Sequence, residues 1–226
     1  MSKFMFKVWG MQRTGTNYLS ELVEENFQVH SILKHGWKHA PVINLKETAH
    51  VPERIPFKKR FKNLDIKQLS KDVQNSILDE NIGALIIIKN PYTWALNIER
   101  WWNASYHVNK TLPELFQMYN ELYSSYRKFR LSQFPNLGFK KCLIVRYEDL
   151  LQDLDRELDV ISGFFDIPVI NRNDLSKVEY SAEFTPERRE HYLNPISDLK
   201  VAELVDWDLM FFYGYTREKQ TWSSTT

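Results

Sequence analysis

Ala84-Leu85-Ile86-Ile87-Ile88 is an unbroken apolar run, bounded by Gly83 on one side and by Asn90-Pro91 on the other. A strand with one wet face alternates apolar and polar residues, and this one does not. It therefore suits a central strand covered on both faces, and a parallel sheet is the setting that supplies such cover. Parallel neighbours need crossovers, so helices should lie on the two faces of the sheet.

The rest of the chain fits that demand. Phe4 to Trp9 is β-rich and ends at Gly10, and Thr16 to Phe27 carries Tyr18 or Leu19, Leu22 and Val23 at helical spacing. Val29 to Leu33 predicts a second strand. A basic stretch with Pro41, Pro52 and Pro56 reads as irregular, and Leu64 to Leu78 as helical. Helices are expected over Tyr92 to Tyr106 and Leu112 to Leu131, a third buried strand over Cys142 to Val145, and helices over Leu150 to Phe164 and Val201 to Phe212. This alternation predicts an α/β fold of three layers, α/β/α, around a central parallel sheet with right-handed crossovers. No repeat or linker divides the chain, so residues 1–226 are expected to form a single domain. Ligands of such sheets bind beyond the carboxyl ends of the strands, which directs attention to the residues just after Trp9, Leu33, Ile88 and Val145.

Composition narrows the partners. A net charge of +1 excludes a uniformly basic nucleic-acid coat, but it conceals a division. Ser31 to Lys71 holds ten Lys/Arg against three Asp/Glu, whereas Arg146 to Asp208 holds seven against sixteen. Cys142 is the only cysteine, so an internal disulfide and a cysteine-based zinc site are both excluded. No stretch approaches the ~18 apolar residues of a membrane span. Without a charged start and apolar core to read as a secretory leader, the expected location is cytoplasmic.

Two of only seven glycines lie in the first loop, Gly10-Met11-Gln12-Arg13-Thr14-Gly15-Thr16-Asn17. Its spacing and its place between strand and helix are those of a phosphate-binding loop, in which backbone N–H groups and a helix N-terminus converge on an anion. It departs from the ATPase form at two positions. Thr16 stands where a lysine would reach the β- and γ-phosphates, and Asn17 where a Ser/Thr would hold magnesium. The cation is inside the loop, as Arg13. Such a loop can clamp one phosphate-like group without a metal, and no metal is expected.

Arg13-Thr14-Gly15-Thr16-Asn17-Tyr18 resembles the 5′-phosphosulfate loop of the PAPS-dependent sulfotransferases, with Arg for the usual lysine and Asn17 for a second threonine. A second motif is similar too. The family places an Arg at the end of a central strand, a Pro two residues on and a Ser eight residues on, and its Arg and Ser bind the 3′-phosphate. Here Lys89, Pro91 and Asn97 occupy those positions. Val145-Arg146-Tyr147-Glu148-Asp149-Leu150-Leu151 resembles the family's strand that ends in an acidic turn, where Glu148 or Asp149 is expected to cap the following helix. Phe184 to Tyr192 resembles the basic segment that closes over the nucleotide, and Arg188 and Arg189 would reach the 3′-phosphate or else lie on a solvated helix face.

The resemblance implies PAPS as co-substrate, PAP as product, and a hydroxyl or amine acceptor that the sequence does not name. An anionic carbohydrate would suit the basic stretch. It also implies that Arg13, Thr14, Gly15, Thr16, Asn17 and Tyr18 contact the nucleotide. Tyr18 would stack on adenine or simply pack its helix. Trp37-Lys38-His39-Ala40-Pro41 looks like the family's base segment, with His39 as base and Lys38 steadying the leaving oxygen. His35 and Glu47 are the other candidates. Trp94, Trp101, Trp102 and Tyr106 would line an acceptor pocket or face the core. Two other readings of the chain are a P-loop nucleotide or small-molecule kinase and a non-catalytic nucleotide-binding module.

Overall fold

A computed structural model of the chain describes residues 4–27, 29–31, 39, 81–106, 110–131, 139–173, 190 and 198–217. The helix expected over Leu64 to Leu78 and the proline-containing stretch lie outside them. Four strands, β1 (Met5–Trp9), β2 (His30–Ser31), β3 (Ile82–Ile88) and β4 (Lys141–Arg146), form one sheet in the order β2-β1-β3-β4. Every pairing is parallel, and the register sets Met5 beside His30, Trp9 beside Ile86, and Ile88 beside Arg146. Strand β3, which contains the apolar run, is interior, and all seven of its residues are buried.

Alternation along the strands feeds two cores, because successive side chains point to opposite faces. Ile82, Ala84, Ile86 and Ile88 join Met5, Trp9 and Cys142 on one face. Helices α2 (Pro91–Tyr106) and α3 (Leu112–Arg130) cover it with Trp94, Ile98, Phe116, Tyr119 and Tyr123. Leu85 and Ile87 join Phe6, Val8 and Val145 on the other face. It is covered by α1 (Thr16–Asn26), α4 (Tyr147–Gln152) and α5 (Leu154–Phe165), through Leu19, Leu22, Leu150, Leu158 and Ile161. The expected three layers are present. Burial pushes the Cys142 thiol up to about 12, outside the range of thiolate chemistry near neutrality.

Two expected helices are each divided. In place of one helix over Leu150 to Phe164, α4 stops at Asp153, whose φ of −149° and ψ of 84° leave the helical region. The Asp153 carboxylate accepts the Arg156 N–H and so caps α5. In place of one helix over Val201 to Phe212 there are α6 (Leu199–Leu204) and α7 (Trp207–Phe212). Between them Asp206 accepts the Leu209 N–H at 3.0 Å. In both cases a short carboxylate offers the backbone a local partner that competes with continuing the helix. Helix α7 adds Leu209 and Met210 to the first core, and Tyr213 and Tyr215 join it there.

The end of α1 is tied to the segment after α5. Asn26 Nδ2 donates to the carbonyls of Leu22 and Asn173, and Asn26 Oδ1 accepts the Asn173 N–H at 2.7 Å. These contacts hold α1, and with it the loop at its start, against the second face of the sheet.

Candidate active site

Strand β1 ends at Trp9, and the chain curls through Gly10 to Gly15 into α1. The curl is built by Thr14, whose hydroxyl donates to the Met11 carbonyl at 2.7 Å and whose N–H donates to the same oxygen at 3.2 Å. Arg13 (φ 67°) and Gly15 (φ 93°) both lie in the left-handed region. Alternating handedness of this kind turns successive N–H groups toward one concavity. The first bond of α1 runs from the Leu19 N–H to the Gly15 carbonyl, so the N–H groups of the first turn point out of the helix end toward that concavity. Thr14 and Thr16 are buried, while the Arg13 and Asn17 side chains are exposed.

Both glycines answer to close approach. A Cβ at Gly10 would stand 2.6 Å from Thr14 Oγ1 and 2.7 Å from the Ile87 carbonyl. A Cβ at Gly15 would stand 2.7 Å from the Tyr147 ring, at a φ that already disfavours any side chain.

Lys89 comes directly after β3 and is buried under the loop. Its Nζ donates to the Arg13 carbonyl at 3.4 Å and lies 4.6 Å from the centre of the Tyr147 ring. Its backbone is fixed at both ends. The Lys89 N–H donates to the Tyr123 hydroxyl at 2.9 Å, and the Tyr119 hydroxyl donates to the Lys89 carbonyl at 2.7 Å. Asn97 lies on α2, half-buried. Trp94, fully buried, donates its indole N–H to the Gln12 carbonyl at 2.8 Å and so anchors the loop from the α2 side. The Gln12 side-chain oxygen is buried without a hydrogen-bond partner among the described residues.

His39 is brought to the loop, its Nδ1 2.7 Å from the Gly10 carbonyl oxygen. Tyr18 is half-buried, its ring edge-on to Tyr147 with centroids 6.3 Å apart. Lys38, His35, Glu47, Arg188 and Arg189 lie outside the described residues. Of the tryptophans expected in a pocket or in the core, Trp94 is in the core, and Trp101 and Trp102 pack against it half-buried.

The acidic turn after β4 differs from its expected capping role. Helix α4 begins at Tyr147 with Arg146 as its N-cap residue, so Glu148 and Asp149 are already inside the first turn. Glu148 is instead a buried junction. Its carboxylate accepts the Asn90 N–H at 2.9 Å, the Thr93 hydroxyl at 3.3 Å and the Tyr215 hydroxyl at 2.8 Å. Burial raises its pKa, while the Asn90 and Tyr215 hydrogen bonds and the Lys89 cation pull the other way. Asp149 pairs with Arg146 through two bonds of 2.7 Å. The reason is geometric: the strand runs directly into the helix, leaving no extended residue at 148 or 149 to act as a cap.

Tyr147 is a residue of the candidate site to which the motifs gave no role, whereas Glu148 was expected as a cap and Trp94 in a pocket or the core. One signal pointed to Tyr147, since it directly succeeds β4 at the carboxyl edge of the sheet. Among the described residues no three His, Cys, Asp or Glu side chains gather as a metal site, and no helix is long and apolar enough to cross a membrane.

The family model of the sulfotransferase domain matches residues 6–198, which includes the loop, β3, Lys89 and the acidic turn. No curated protein matches the chain. Among solved structures it is similar to the mouse sulfotransferase SULT7A1 complexed with PAP, at 16% identity over 96% of this chain and 80% of that one, with a TM-score of 0.41. It is also similar to a sulfotransferase from Alicyclobacillus acidocaldarius, at 12% identity over 85% of this chain and 96% of that one, with a TM-score of 0.43. With the family model spanning most of its length, the chain belongs to the sulfotransferase family, enzymes that take a sulfuryl group from PAPS.

Proposed function

We propose that the whole chain acts as one cytoplasmic sulfotransferase domain in which the Gly10–Asn17 loop holds the 5′-phosphosulfate of PAPS and His39 is the general base. Arg13 supplies the guanidinium nearest the transferred group. Lys89, Asn97, Arg188 and Arg189 serve the 3′-phosphate, and Tyr18 the adenine. The acceptor is a hydroxyl or amine, and the excess of Lys and Arg between Ser31 and Lys71 favours one that is already anionic, such as a charged carbohydrate. In the reaction the acceptor's proton passes to His39 and its oxygen or nitrogen forms the new bond to sulfur. The bond from sulfur to the 5′-phosphate oxygen breaks, and PAP leaves with the negative charge. Loop N–H groups and Lys38 stabilise that charge without a metal.

The observation that supports this reading is the contact of His39 Nδ1 with the Gly10 carbonyl. A carbonyl oxygen only accepts, so the ring hydrogen sits on Nδ1 and the neutral imidazole carries its basic lone pair on Nε2. The tautomer required of a base is thereby set by the loop that would hold the donor. His39→Ala should lower kcat by ~10²- to 10⁴-fold while PAP affinity, measured by calorimetry, changes little. Unchanged turnover would transfer the role to His35 or Glu47.

A further inference from the structure

We infer that Tyr215 is a positioning residue of the donor site, gripping the turn that carries Lys89; the inference rests on Lys89 serving the nucleotide. Tyr215 lies just after α7, beyond residue 198 where the family model ends. The two peptide N–H groups that follow β3 are received by side chains. The Lys89 N–H donates to the Tyr123 hydroxyl at 2.9 Å, and the Asn90 N–H to the Glu148 carboxylate at 2.9 Å. Each receiving residue is held in turn by a tyrosine of one short segment. The Tyr213 hydroxyl donates to the Tyr123 carbonyl, and the Tyr215 hydroxyl to the second Glu148 oxygen at 2.8 Å. The segment is itself tied down. The Tyr215 N–H donates to the Met210 carbonyl at 3.0 Å, Arg146 donates to the Gly214 carbonyl at 3.0 Å, and the Tyr92 hydroxyl donates to the Arg217 carbonyl at 3.2 Å.

The consequence runs through Glu148. A buried carboxylate is costly unless hydrogen bonds and an opposite charge answer it. Its donors are the Asn90 N–H and the Thr93 and Tyr215 hydroxyls, and Lys89 is the opposite charge. Lys89 also has the Arg13 carbonyl at 3.4 Å and the Tyr147 ring at 4.6 Å, neither of which carries a negative charge. Burial works against the Glu148 charge, and the Tyr215 bond works for it. Tyr215 is buried beside that carboxylate, which holds its own pKa well above the usual phenol value, so the hydroxyl keeps its proton and remains a donor. Without this hydroxyl one oxygen of Glu148 has no donor. The carboxylate then either takes up a proton, which ends its attraction for Lys89, or rotates, which disturbs the Asn90 bond. Both displace the Lys89–Asn90 turn. That turn leads straight into Pro91 and α2, which carries Asn97 and the Trp94 indole that anchors the loop at Gln12.

Two measurements separate this role from ordinary core packing. Tyr215→Phe removes one hydroxyl and keeps the ring that lies against Arg146. Tyr126 is the control: its ring is also buried beside Tyr123, and its hydroxyl has no hydrogen-bond partner among the described residues. Calorimetry should show PAP affinity reduced about fivefold or more in Tyr215→Phe and within about twofold of wild type in Tyr126→Phe. Coupling is reciprocal, so PAP must also steady the segment that grips the turn. In the wild-type protein, PAP should slow hydrogen exchange at the Tyr213, Gly214 and Tyr215 amides by more than it slows exchange in α5, which takes no part in these contacts. A folded Tyr215→Phe that binds PAP as wild type does overturns the proposal, and so does an equal loss of affinity in Tyr126→Phe. If Tyr215→Phe does not fold, slowing at Tyr213 to Tyr215 no greater than in α5 overturns it. A wild-type protein that fails to bind PAP is a different result, which removes the donor reading and this role with it.

Discussion

Arg13 and Gly15 share a left-handed backbone for different reasons. Gly15 has no alternative, because its φ of 93° and the Tyr147 ring both exclude a side chain. Arg13 accepts about 1 kcal/mol or more of strain to place a guanidinium on the rim, with its carbonyl held by Lys89. Gly15→Ala should therefore affect function more than stability. The loop can shift to relieve the clash, but its N–H groups then no longer converge. We expect PAP affinity to fall at least about tenfold by calorimetry, with the melting temperature lowered by a few degrees. Affinity equal to wild type would show that the loop geometry does not govern the anion. At this scale the spacing of the two glycines was legible in the sequence, as was the displacement of the cation to Arg13. What the glycines pack against was not legible, because Tyr147 meets Gly15 only after the sheet has brought β4 to the same edge.

Among the elements, those with a strong period were readable and their interruptions were not. The apolar run of β3 and the amphipathic stretches of α1, α2 and α3 each carry a pattern many residues long. The breaks at Asp153 and Asp206 depend on one carboxylate reaching one N–H, which no periodicity records. Glu148 shows the same limit. Read as a cap, it is instead the acceptor that joins the end of β3, the first turn of α2 and the segment after α7, through Asn90, Thr93 and Tyr215. Because burial favours its protonated form, its folded pKa lies above the unfolded value near 4.5. The stability gained from binding that proton is complete below the unfolded pKa and is lost as pH rises through the folded value. Glu148→Gln is neutral throughout, so the melting temperature of wild type relative to this variant should fall as pH rises from 4.5 toward neutrality. A difference that is flat across this window, or that grows with pH, would mean that the hydrogen bonds and Lys89 outweigh burial.

For the whole molecule, three layers arise from a single demand, that an apolar strand be covered twice. The two cores, one containing Trp94 and Tyr119 and the other Leu22 and Ile161, meet it. The same topology places Gly10 after β1, Lys89 after β3 and Tyr147 after β4 at one edge of the sheet, where His39 also arrives. The position of the candidate site was therefore legible from strand order. Its internal contacts were not, since Lys89 meets Tyr147 and Trp94 meets Gln12 across elements far apart in the chain. The near-zero net charge, in turn, gave no sign of an anion loop, because the basic and acidic stretches offset one another. Above all, we hold that this loop, lacking the lysine and Ser/Thr of a nucleotide-triphosphate site, is built for the phosphosulfate end of PAPS. Thermal unfolding of the wild-type protein with PAP, and separately with ATP and magnesium, tests it most directly. PAP at about 100 times its dissociation constant should stabilise the fold by about 2.7 kcal/mol and raise the melting temperature by several degrees, with ATP and magnesium giving little change. Stabilisation by ATP and magnesium but not by PAP would contradict the account.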